Sequence, residues 1–399
     1  MQIESPLPLN LSLKPKPQQE LNFLLAVCTQ SEFEASENID FDELLHLSRR
    51  HRLVGTLNKA VFKSKEKFPE IFVEKLSRNA QNIAFRNLQL CQQLILLGNR
   101  FGEEKIEWIS LKGPALAQYI FRELSLRQSS DLDILVQQGD LARTDKLLTE
   151  IGFEDTSETP FAQLNDSEKK AFSQISHELP YFNSKTRVKV ELHWKLVAPK
   201  SLFPKNESEI WKSIKPVQLG GVEIPTLSDE NQLLYLCTHG AKHQWFRLFW
   251  LRDIFYLLQK VDFDLDNILR ELHNNGNHRS LLSGLCLCHE FFGYKLTELT
   301  KSIGKEDKTF QMVLQRSRES ILSDESASAP GVEENIWGIT KNLMQLKSGW
   351  RYKLECLHRF RTSPQDWERL KLPKKWFFLY YFARPFMAIS RRVFFCEKS

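Results

Sequence analysis

The 399-residue sequence lacks the features that mark several large protein classes. No run reaches the roughly 18 apolar residues of a membrane-spanning helix, and the N-terminus has no charged segment followed by an apolar one, as a secretion signal would. Its seven cysteines are odd in number and none is paired as C-x-x-C, which argues against a disulfide framework and a zinc ribbon. The sequence therefore predicts a soluble protein of the reducing cytoplasm.

A strong charge of either sign is also missing. The formal net charge is +5, from 55 Lys and Arg against 50 Asp and Glu, and the basic residues are spread along the chain. A nucleic-acid-binding surface normally needs a concentrated basic patch, so no nucleic-acid partner is predicted. Small anionic molecules such as nucleotides are compatible with this balance.

Sequence periodicity divides the chain into four parts. The proline-rich residues 1–17 are predicted to form a loose arm, and apolar residues spaced by three and four over 18–104 predict a helical region. Residues 105–226 alternate short β-prone runs with helices, as in a mixed α and β core. Helical spacing returns over 227–399. The β-prone runs of the core lie at 106–110, 131–136, 178–183, 186–194 and 217–225.

Two aspartates interrupt the apolar run DLDILV. Side chains two apart on a strand point to the same side, about 6–7 Å from each other, so Asp131 and Asp133 share one face. Leu132, Ile134 and Val136 form the opposite, core-facing side. Two such carboxylates repel by about 2–3 kcal/mol at an effective dielectric constant near 20, and a bound cation would remove that cost. The pattern indicates a metal site, with Asp131 as a simple turn residue as the alternative.

A third carboxylate lies in a second strand-like run, VKVELH, where Val190 and Leu192 alternate with Glu191 and His193. If this strand pairs beside the first, Glu191 joins the two aspartates in one cluster. Oxygen ligands of this kind suit hard divalent ions, Mg²⁺ or Mn²⁺.

The segment Lys112-Gly113-Pro114 separates a short apolar run from a helix. Glycine allows close backbone approach and proline is favoured at the first helical position, so a helix is predicted to begin here with free backbone N–H groups. Such an N-terminus binds anions, and an exposed Lys112 ammonium would add positive charge. The segment is therefore predicted to bind a triphosphate.

Five segments occur in one order over roughly residues 20–260: LKGPALAQYIF, RQSSDLDILV, LLTEIGFE, VKVELHW and LSDENQLLYLCTHGAKHQWFRLFWLRDI. Together they resemble the uncharacterised nucleotidyltransferase family of the DNA polymerase beta-like superfamily. The resemblance implies an α+β fold, with a small mixed β-sheet core flanked by N-terminal and C-terminal helical regions. It also implies that Asp131, Asp133 and Glu191 are catalytic, metal-binding carboxylates. Lys112 and Gly113 form the implied triphosphate cradle, although the wider superfamily usually has Gly-Ser or Gly-Gly at this turn.

The resemblance implies transfer of a nucleotidyl group from a nucleoside triphosphate to an acceptor hydroxyl, with release of pyrophosphate. The acceptor, a small molecule or a protein, is not identified by the sequence. In a two-metal displacement Asp131 and Asp133 would hold both ions, and Glu191 would hold the ion nearer the acceptor. Arg127 and Ser130 complete the predicted nucleotide-binding set. The alternative for Arg127 is a solvated loop arginine.

Two residues of the C-terminal region, His239 and Lys242, are predicted on the substrate side because the resemblance includes their helix. His239 and His243 are four apart, as zinc ligands can be, but the glutamate of H-E-x-x-H is missing, so no catalytic zinc is predicted. A packing histidine and a solvated lysine are the alternatives.

Two segments carry no readable function. Residues 156–170 are predicted to form a surface loop or short helix inserted between strands. Residues 374–395 are the most apolar stretch and are interpreted as a helix packed on the domain. Contact with a membrane surface is the alternative for this stretch, because lysines and arginines flank it.

Two other function classes compete with nucleotidyl transfer. A D-x-D glycosyltransferase would have a parallel βαβ sheet upstream of the motif, where this chain is helical. A catalytically silent nucleotide-binding or interaction module is expected to lack at least one of the three carboxylates, and all three are present. Metal-dependent release of pyrophosphate separates the enzyme from the module.

Overall fold

A computed structural model describes residues 18–31, 39–323 and 336–360, with a few positions between 366 and 380. The predicted arm at 1–17 lies outside the described residues, as does most of the apolar stretch 374–395. The strands are β1 (Trp108–Ser110), β2 (Leu132–Val136), β3 (Glu154–Asp155), β4 (Glu178–Asn183), β5 (Val188–His193), β6 (Ile214–Leu219) and β7 (Val222–Leu227). The helices are α1 (Gln18–Thr29), α2 (Phe41–Arg50), α3 (Val54–Phe62), α4 (Glu70–Glu103), α5 (Gly113–Phe121), α6 (Leu141–Glu150), α7 (Asp166–Ile175), α8 (Glu207–Lys212), α9 (Asp229–Lys242), α10 (Leu248–Lys260), α11 (Leu265–Asn274), α12 (Arg279–Phe292), α13 (Glu298–Glu306), α14 (Lys308–Leu322), α15 (Ile336–Leu346) and α16 (Trp350–Cys356).

The strands form one seven-stranded sheet in the order β3-β4-β5-β2-β1-β7-β6. The β2–β5 and β1–β7 pairs are parallel, and the other neighbours are antiparallel. Helices precede, interrupt and follow this mixed sheet along the chain. The predicted α+β fold is confirmed.

Local signals set the element boundaries. The Asp40 carboxylate accepts hydrogen bonds from two N–H groups in the first turn of α2, as a preferred N-cap residue does. Asn165 begins α7 with a capping box, so the stretch 156–170 is a loop followed by the start of a helix. The predicted run 217–225 is a hairpin of β6 and β7, which turns at Gly220 and Gly221 with φ of 59° and 83°.

Both faces of the central strands are covered. Leu132 and Ile134 of β2 and Leu192 of β5 belong to one hydrophobic cluster with Leu94 and Leu97 of α4. The opposite face of β2 presents Leu135 to a second cluster, which includes α9 and α10. Asp133 alternates with Leu132 and Ile134 along β2 and therefore faces this second, helical layer.

The second cluster extends through most of the helices. It contains Leu24 of α1, Leu57 of α3, Leu116 of α5, Leu251 of α10 and Leu285 of α12. N-terminal and C-terminal helices thus share one core beside the sheet. The division into an arm at 1–17, helical regions at 18–104 and 227–399 and a core at 105–226 stays a prediction.

Candidate active site

The turn between β1 and α5 is fixed from two sides. Gly113 has φ of 72°, a left-handed conformation that favours glycine. The N–H of Leu111 donates to the carbonyl of Asp133 at 3.0 Å, and Nε2 of Gln232 donates to the carbonyl of Leu111 at 3.1 Å. These bonds hold the N-terminus of α5 beside the first residues of β2.

Two of the predicted carboxylates are direct partners in the sheet. β2 and β5 pair in parallel, with Asp133 opposite Glu191. Partners in register point to the same face, so both side chains leave the sheet on the side of the helical layer. The predicted pairing of these two strands is confirmed. Asp133 is buried, whereas the Glu191 side chain is about one-third exposed.

Asp131 lies one residue before β2 and its carboxylate accepts a hydrogen bond from Oγ of Ser130 at 2.9 Å. It lines the same cleft as Asp133 and Glu191. The tightest group around these two carboxylates includes His193 rather than Asp131, with ligand atoms within 4.8 Å of one another. The role of Asp131 as a metal ligand stays a prediction.

The sequence interpretation missed His193, Glu178 and His177. Nε2 of His193 lies 3.5 Å from Oδ1 of Asp133, and its Nδ1 lies 3.5 Å from Oε2 of Glu178. Nε2 of His177 is 3.2 Å from the same Glu178 oxygen. His193 was visible in the alternating pattern of its strand, two residues after Glu191. No pattern pointed to Glu178, which β4 brings next to β5.

The Lys112 ammonium lies 2.8 Å from Oδ1 of Asp133, and the lysine side chain is only 12% exposed. The expectation of an exposed Lys112 is therefore wrong, because the buried carboxylate draws the ammonium toward the sheet. Lys112 still lines the cleft, at the point where α5 begins.

The pKa values of this cluster diverge. Burial alone would raise the pKa of Asp133, but Lys112 and His193 more than offset that effect and hold the pKa below its usual range. Burial would lower the pKa of Lys112, but Asp133 raises it overall. Burial and the charge of Asp133 raise the pKa of Glu191 to about 9. The site thus holds one firmly ionised carboxylate beside a proton-binding one.

The donor set fits a divalent ion. Within the described residues, both ring nitrogens of His193 are buried and form no hydrogen bond of ordinary geometry. Buried polar atoms are normally satisfied, and an ion bound by Asp133, Glu191 and His193 would satisfy the ring nitrogen that faces the two carboxylates.

Arg127 is neither solvated nor free to move. Its side chain is 4% exposed, and Nε donates to the fully buried Asp253 of α10 at 2.8 Å. Nη1 donates to Oγ of Ser129 at 3.1 Å. The alternative of a solvated loop arginine is wrong, because the side chain is buried in this ion pair. The ion pair also holds the segment before Asp131 against α10. Arg127 also lines the cleft, so its contact with a nucleotide stays a prediction.

A cleft of about 420 Å³ separates the sheet from the helical layer. One side, the strand wall, consists of Asp131, Asp133, Glu178, Glu191 and His193. The opposite side, the helix wall, consists of Arg52, His239, Lys242, His243, Arg247 and Trp250. The strand wall is rich in carboxylates and the helix wall in cations, as a site for a metal and an anion requires.

The predicted substrate-side residues lie on the helix wall. The ring centroids of His239 and His243 are 4.7 Å apart, and that of Trp250 lies 5.4 Å from His239. Burial, followed by the charge of Lys112, lowers the pKa of His239 well below its usual value. Lys242 Nζ is 3.4 Å from Nε2 of His177, the residue before Glu178 of the strand wall.

Two arginines of the helix wall carried no signal in the sequence. Arg52 follows α2 with φ of 56°, and its guanidinium lies 5.4 Å from the ring centroid of Phe249. Arg247 precedes α10 and lies 4.7 Å from the ring centroid of Phe246. Only tertiary packing brings both residues to the cleft, so no local motif could have identified them.

A family model of uncharacterised nucleotidyltransferases matches residues 37–293, more than half of the chain. The chain belongs to this family. Membership in the nucleotidyltransferase family supports a general role in nucleotidyl transfer. Comparison with curated proteins and with solved structures found no match. Among the described helices of this family member, none combines the length and the apolar character needed to cross a bilayer.

The matched segment of the nucleotidyltransferase family spans the whole cleft, because both walls lie within it. The cleft brings together nine residues of the predicted set, namely Lys112, Gly113, Arg127, Ser130, Asp131, Asp133, Glu191, His239 and Lys242. Their individual roles stay predictions.

Proposed function

We propose that the chain is a metal-dependent nucleotidyltransferase, which moves a nucleotidyl group from a nucleoside triphosphate to an acceptor hydroxyl. The direct pairing of Asp133 with Glu191, beside Lys112 and the N-terminus of α5, carries this proposal. It puts carboxylates for a cation next to a helix end suited to phosphates.

The groups that line the cleft have defined tasks in this proposal. Asp131, Asp133 and Glu191 hold the metal, and Lys112 with the first N–H groups of α5 holds the triphosphate. When bound, a divalent ion such as Mg²⁺ or Mn²⁺ offsets the phosphate charge and lowers the pKa of the acceptor hydroxyl. Arg127 and Ser130, which line the cleft, are proposed to contact the nucleotide, and His239 and Lys242 to contact the substrate side.

The proposed reaction forms a bond between the acceptor oxygen and the α-phosphorus. The bond from that phosphorus to the oxygen bridging the α- and β-phosphates breaks, and pyrophosphate leaves with the electron pair. The acceptor proton passes to Glu191. In the metal-free protein burial and the neighbouring carboxylates raise the pKa of Glu191 to about 9, and a bound divalent cation would displace this proton and leave the ionised carboxylate that acts as the base.

A panel of nucleoside triphosphates tests the proposal, with pyrophosphate release and nucleotide binding measured with Mg²⁺, with Mn²⁺ and with a chelator. Replacing both Asp131 and Asp133 by Asn should abolish metal-dependent nucleotide binding, because the ion loses two charged ligands. Asp262 and Asp264 form a second D-x-D outside the cleft, so their double replacement by Asn is a matched control. Unchanged binding in the first variant would remove the aspartate pair from the site.

Binding of a nucleotide without release of pyrophosphate would instead indicate a silent module. If release occurs, incubation with a radiolabelled nucleotide and cell extract identifies the acceptor by the labelled product. We place the reaction in the cytoplasm, since the described cysteines are free thiols, as a reducing compartment keeps them.

A further inference from the structure

His193, the last residue of β5, has an unusual environment for an imidazole. Its side chain is only 4% exposed. In the part of the chain that the structure describes, neither ring nitrogen has a hydrogen-bond partner of ordinary geometry. An unsatisfied buried polar group costs about 1–3 kcal/mol, so a ring left in this state points to a ligand that satisfies it.

The position of Nε2 matches that of a metal ligand. It lies 3.5 Å from Oδ1 of Asp133 and 3.9 Å from Oε2 of Glu191. Ligand atoms bonded at about 2.1 Å to one ion lie about 3.0–4.2 Å from each other in tetrahedral or octahedral geometry. One ion can therefore contact all three side chains with little movement.

The other nitrogen, Nδ1, faces Oε2 of Glu178 at 3.5 Å. A small rotation of the ring would let Nδ1–H donate to this carboxylate. That arrangement fixes the tautomer in which Nε2 carries the free electron pair, as carboxylates beside metal-bound histidines commonly do. Glu178 is thus suited to orient His193 toward Asp133 and Glu191.

We infer that Asp133, Glu191 and Nε2 of His193 bind a divalent transition-metal ion, and that His193 makes the site prefer Mn²⁺ over Mg²⁺. Imidazole nitrogen is a better ligand for transition metals, whereas Mg²⁺ favours oxygen ligands and retained water. The inference deepens the proposed function, on which it rests for the use of a metal.

A competing set of His177, Glu178 and His193 also has its ligand atoms within 4.8 Å. It contains a single carboxylate, and the Lys242 ammonium lies 3.4 Å from His177 Nε2. That ammonium would repel a cation bound at Nε2 of His177. The inferred set offers two carboxylate ligands, Asp133 and Glu191, beside the single ammonium of Lys112, and an ion that displaces the Glu191 proton gains both of them.

Metal binding to the full-length, metal-free protein tests the inference without any assay of activity. Pulsed electron paramagnetic resonance of bound Mn²⁺ should show the coupling of a directly bound imidazole nitrogen. Calorimetric titration should show tighter binding of Mn²⁺ than of Mg²⁺. His193→Ala should lose the coupling and weaken Mn²⁺ binding at least tenfold, the lower end of the about 10–100-fold typical for loss of a group that supports a metal ligand.

His177→Ala is the matched control, an imidazole of the same cleft outside the inferred set, and it should keep both the coupling and the affinity. The nitrogen coupling in the parent protein is itself a test of the inference, so the experiment remains decisive even if His193→Ala folds poorly. The inference is overturned by a parent without nitrogen coupling, by Mg²⁺ binding as tight as Mn²⁺ binding, or by loss of the coupling in His177→Ala.

Parallel assays of pyrophosphate release separate the two ideas. Nitrogen coupling without release would support the metal site and contradict the proposed function. Release with Mg²⁺ in a protein without nitrogen coupling would contradict the metal inference and leave the proposed function standing.

Discussion

The two walls of the cleft are built in different ways. Backbone register sets the strand wall, since pairing of β2 with β5 puts Asp133 beside Glu191. Side-chain packing sets the helix wall, where Trp250 lies against His239 and His243 at ring distances of 5.4 and 5.7 Å. A side chain on the strand wall can therefore be exchanged while the hydrogen bonds that position it persist. On the helix wall, the groups that line the cleft also hold it together.

Glu191→Gln should show the largest effect and should leave the fold intact. We expect transfer to fall by about 10²–10⁴-fold, the usual contribution of a general base, while nucleotide affinity is mostly kept. The thermal midpoint of the metal-free protein at neutral pH should not change. The pKa of Glu191 is raised to about 9, so the parent side chain is already neutral there, like glutamine.

Pyrophosphate release, calorimetry and thermal unfolding give these three quantities. Glu223→Gln is the matched control, an exposed glutamate on β7 outside the cleft. Parental turnover in Glu191→Gln would show that Glu191 is only a strand residue.

Trp250→Ala tests the helix wall. This variant should lower the free energy of unfolding more than it lowers metal affinity. Trp250 is 6% exposed, and truncation of a buried aromatic side chain costs about 3–5 kcal/mol of the free energy of unfolding. Metal affinity of the folded protein should stay within about threefold, since Trp250 offers no metal ligand. Denaturant unfolding measures the loss, with Trp337→Ala at a 59% exposed position as control. Equal losses in the two variants would contradict the packing role of Trp250.

Lys112→Met asks whether the strand wall also contributes to stability. The variant leaves the buried Asp133 without its ammonium partner, so the metal-free protein should lose about 3 kcal/mol. Added Mn²⁺ should restore most of that loss, because the ion supplies the missing positive charge, while nucleotide affinity falls. Thermal unfolding with and without Mn²⁺ measures both, beside Lys170→Met at an exposed position. A variant as stable as its parent without metal would show that the ion pair does not support the fold.

His51→Asn should have the smallest effect at neutral pH, because the titration of His51 affects stability only under acid conditions. His51 accepts a hydrogen bond at Nδ1 from the N–H of Leu248, the first residue of α10. Burial, with neighbouring Arg50 and Arg247, lowers the pKa of His51 to about 3. The unfolded chain binds this proton at about pH 6.5, so stability is complete above that value and falls as the pH drops toward 3.

The parent should lose about 1.4 kcal/mol per pH unit over this range through His51, a slope that an asparagine side chain cannot contribute because it does not titrate. Unfolding free energies of parent and variant between pH 7 and 4 measure the difference, with exposed His273→Asn as control. If the unfolding free energies of parent and variant had the same dependence on pH, His51 would not be the group that destabilises the parent in acid.

The strand wall was largely predictable from the sequence and the helix wall was not. Alternation with a period of two put Asp133 and Glu191 on faces that could meet, and the strands do pair. His193 followed the same alternation, but a lone strand histidine gives no sign of which groups surround its ring. Arg52 and Arg247 reach the cleft only because helices distant in sequence pack together, and no short pattern encodes that contact.

The residues that line the cleft are spread along the chain, so a ligand bound there should protect a large part of the protein from proteolysis. Its lining runs from Arg52 to Trp250, so a chain released before α10 is complete lacks one wall. A ligand that binds only the folded state adds about 2.7 kcal/mol at a hundred times its dissociation constant. Nucleotide should then slow protease cleavage throughout the sheet and the helices that cover it. Limited proteolysis with and without nucleotide measures this protection, and cleavage at equal rates would contradict it.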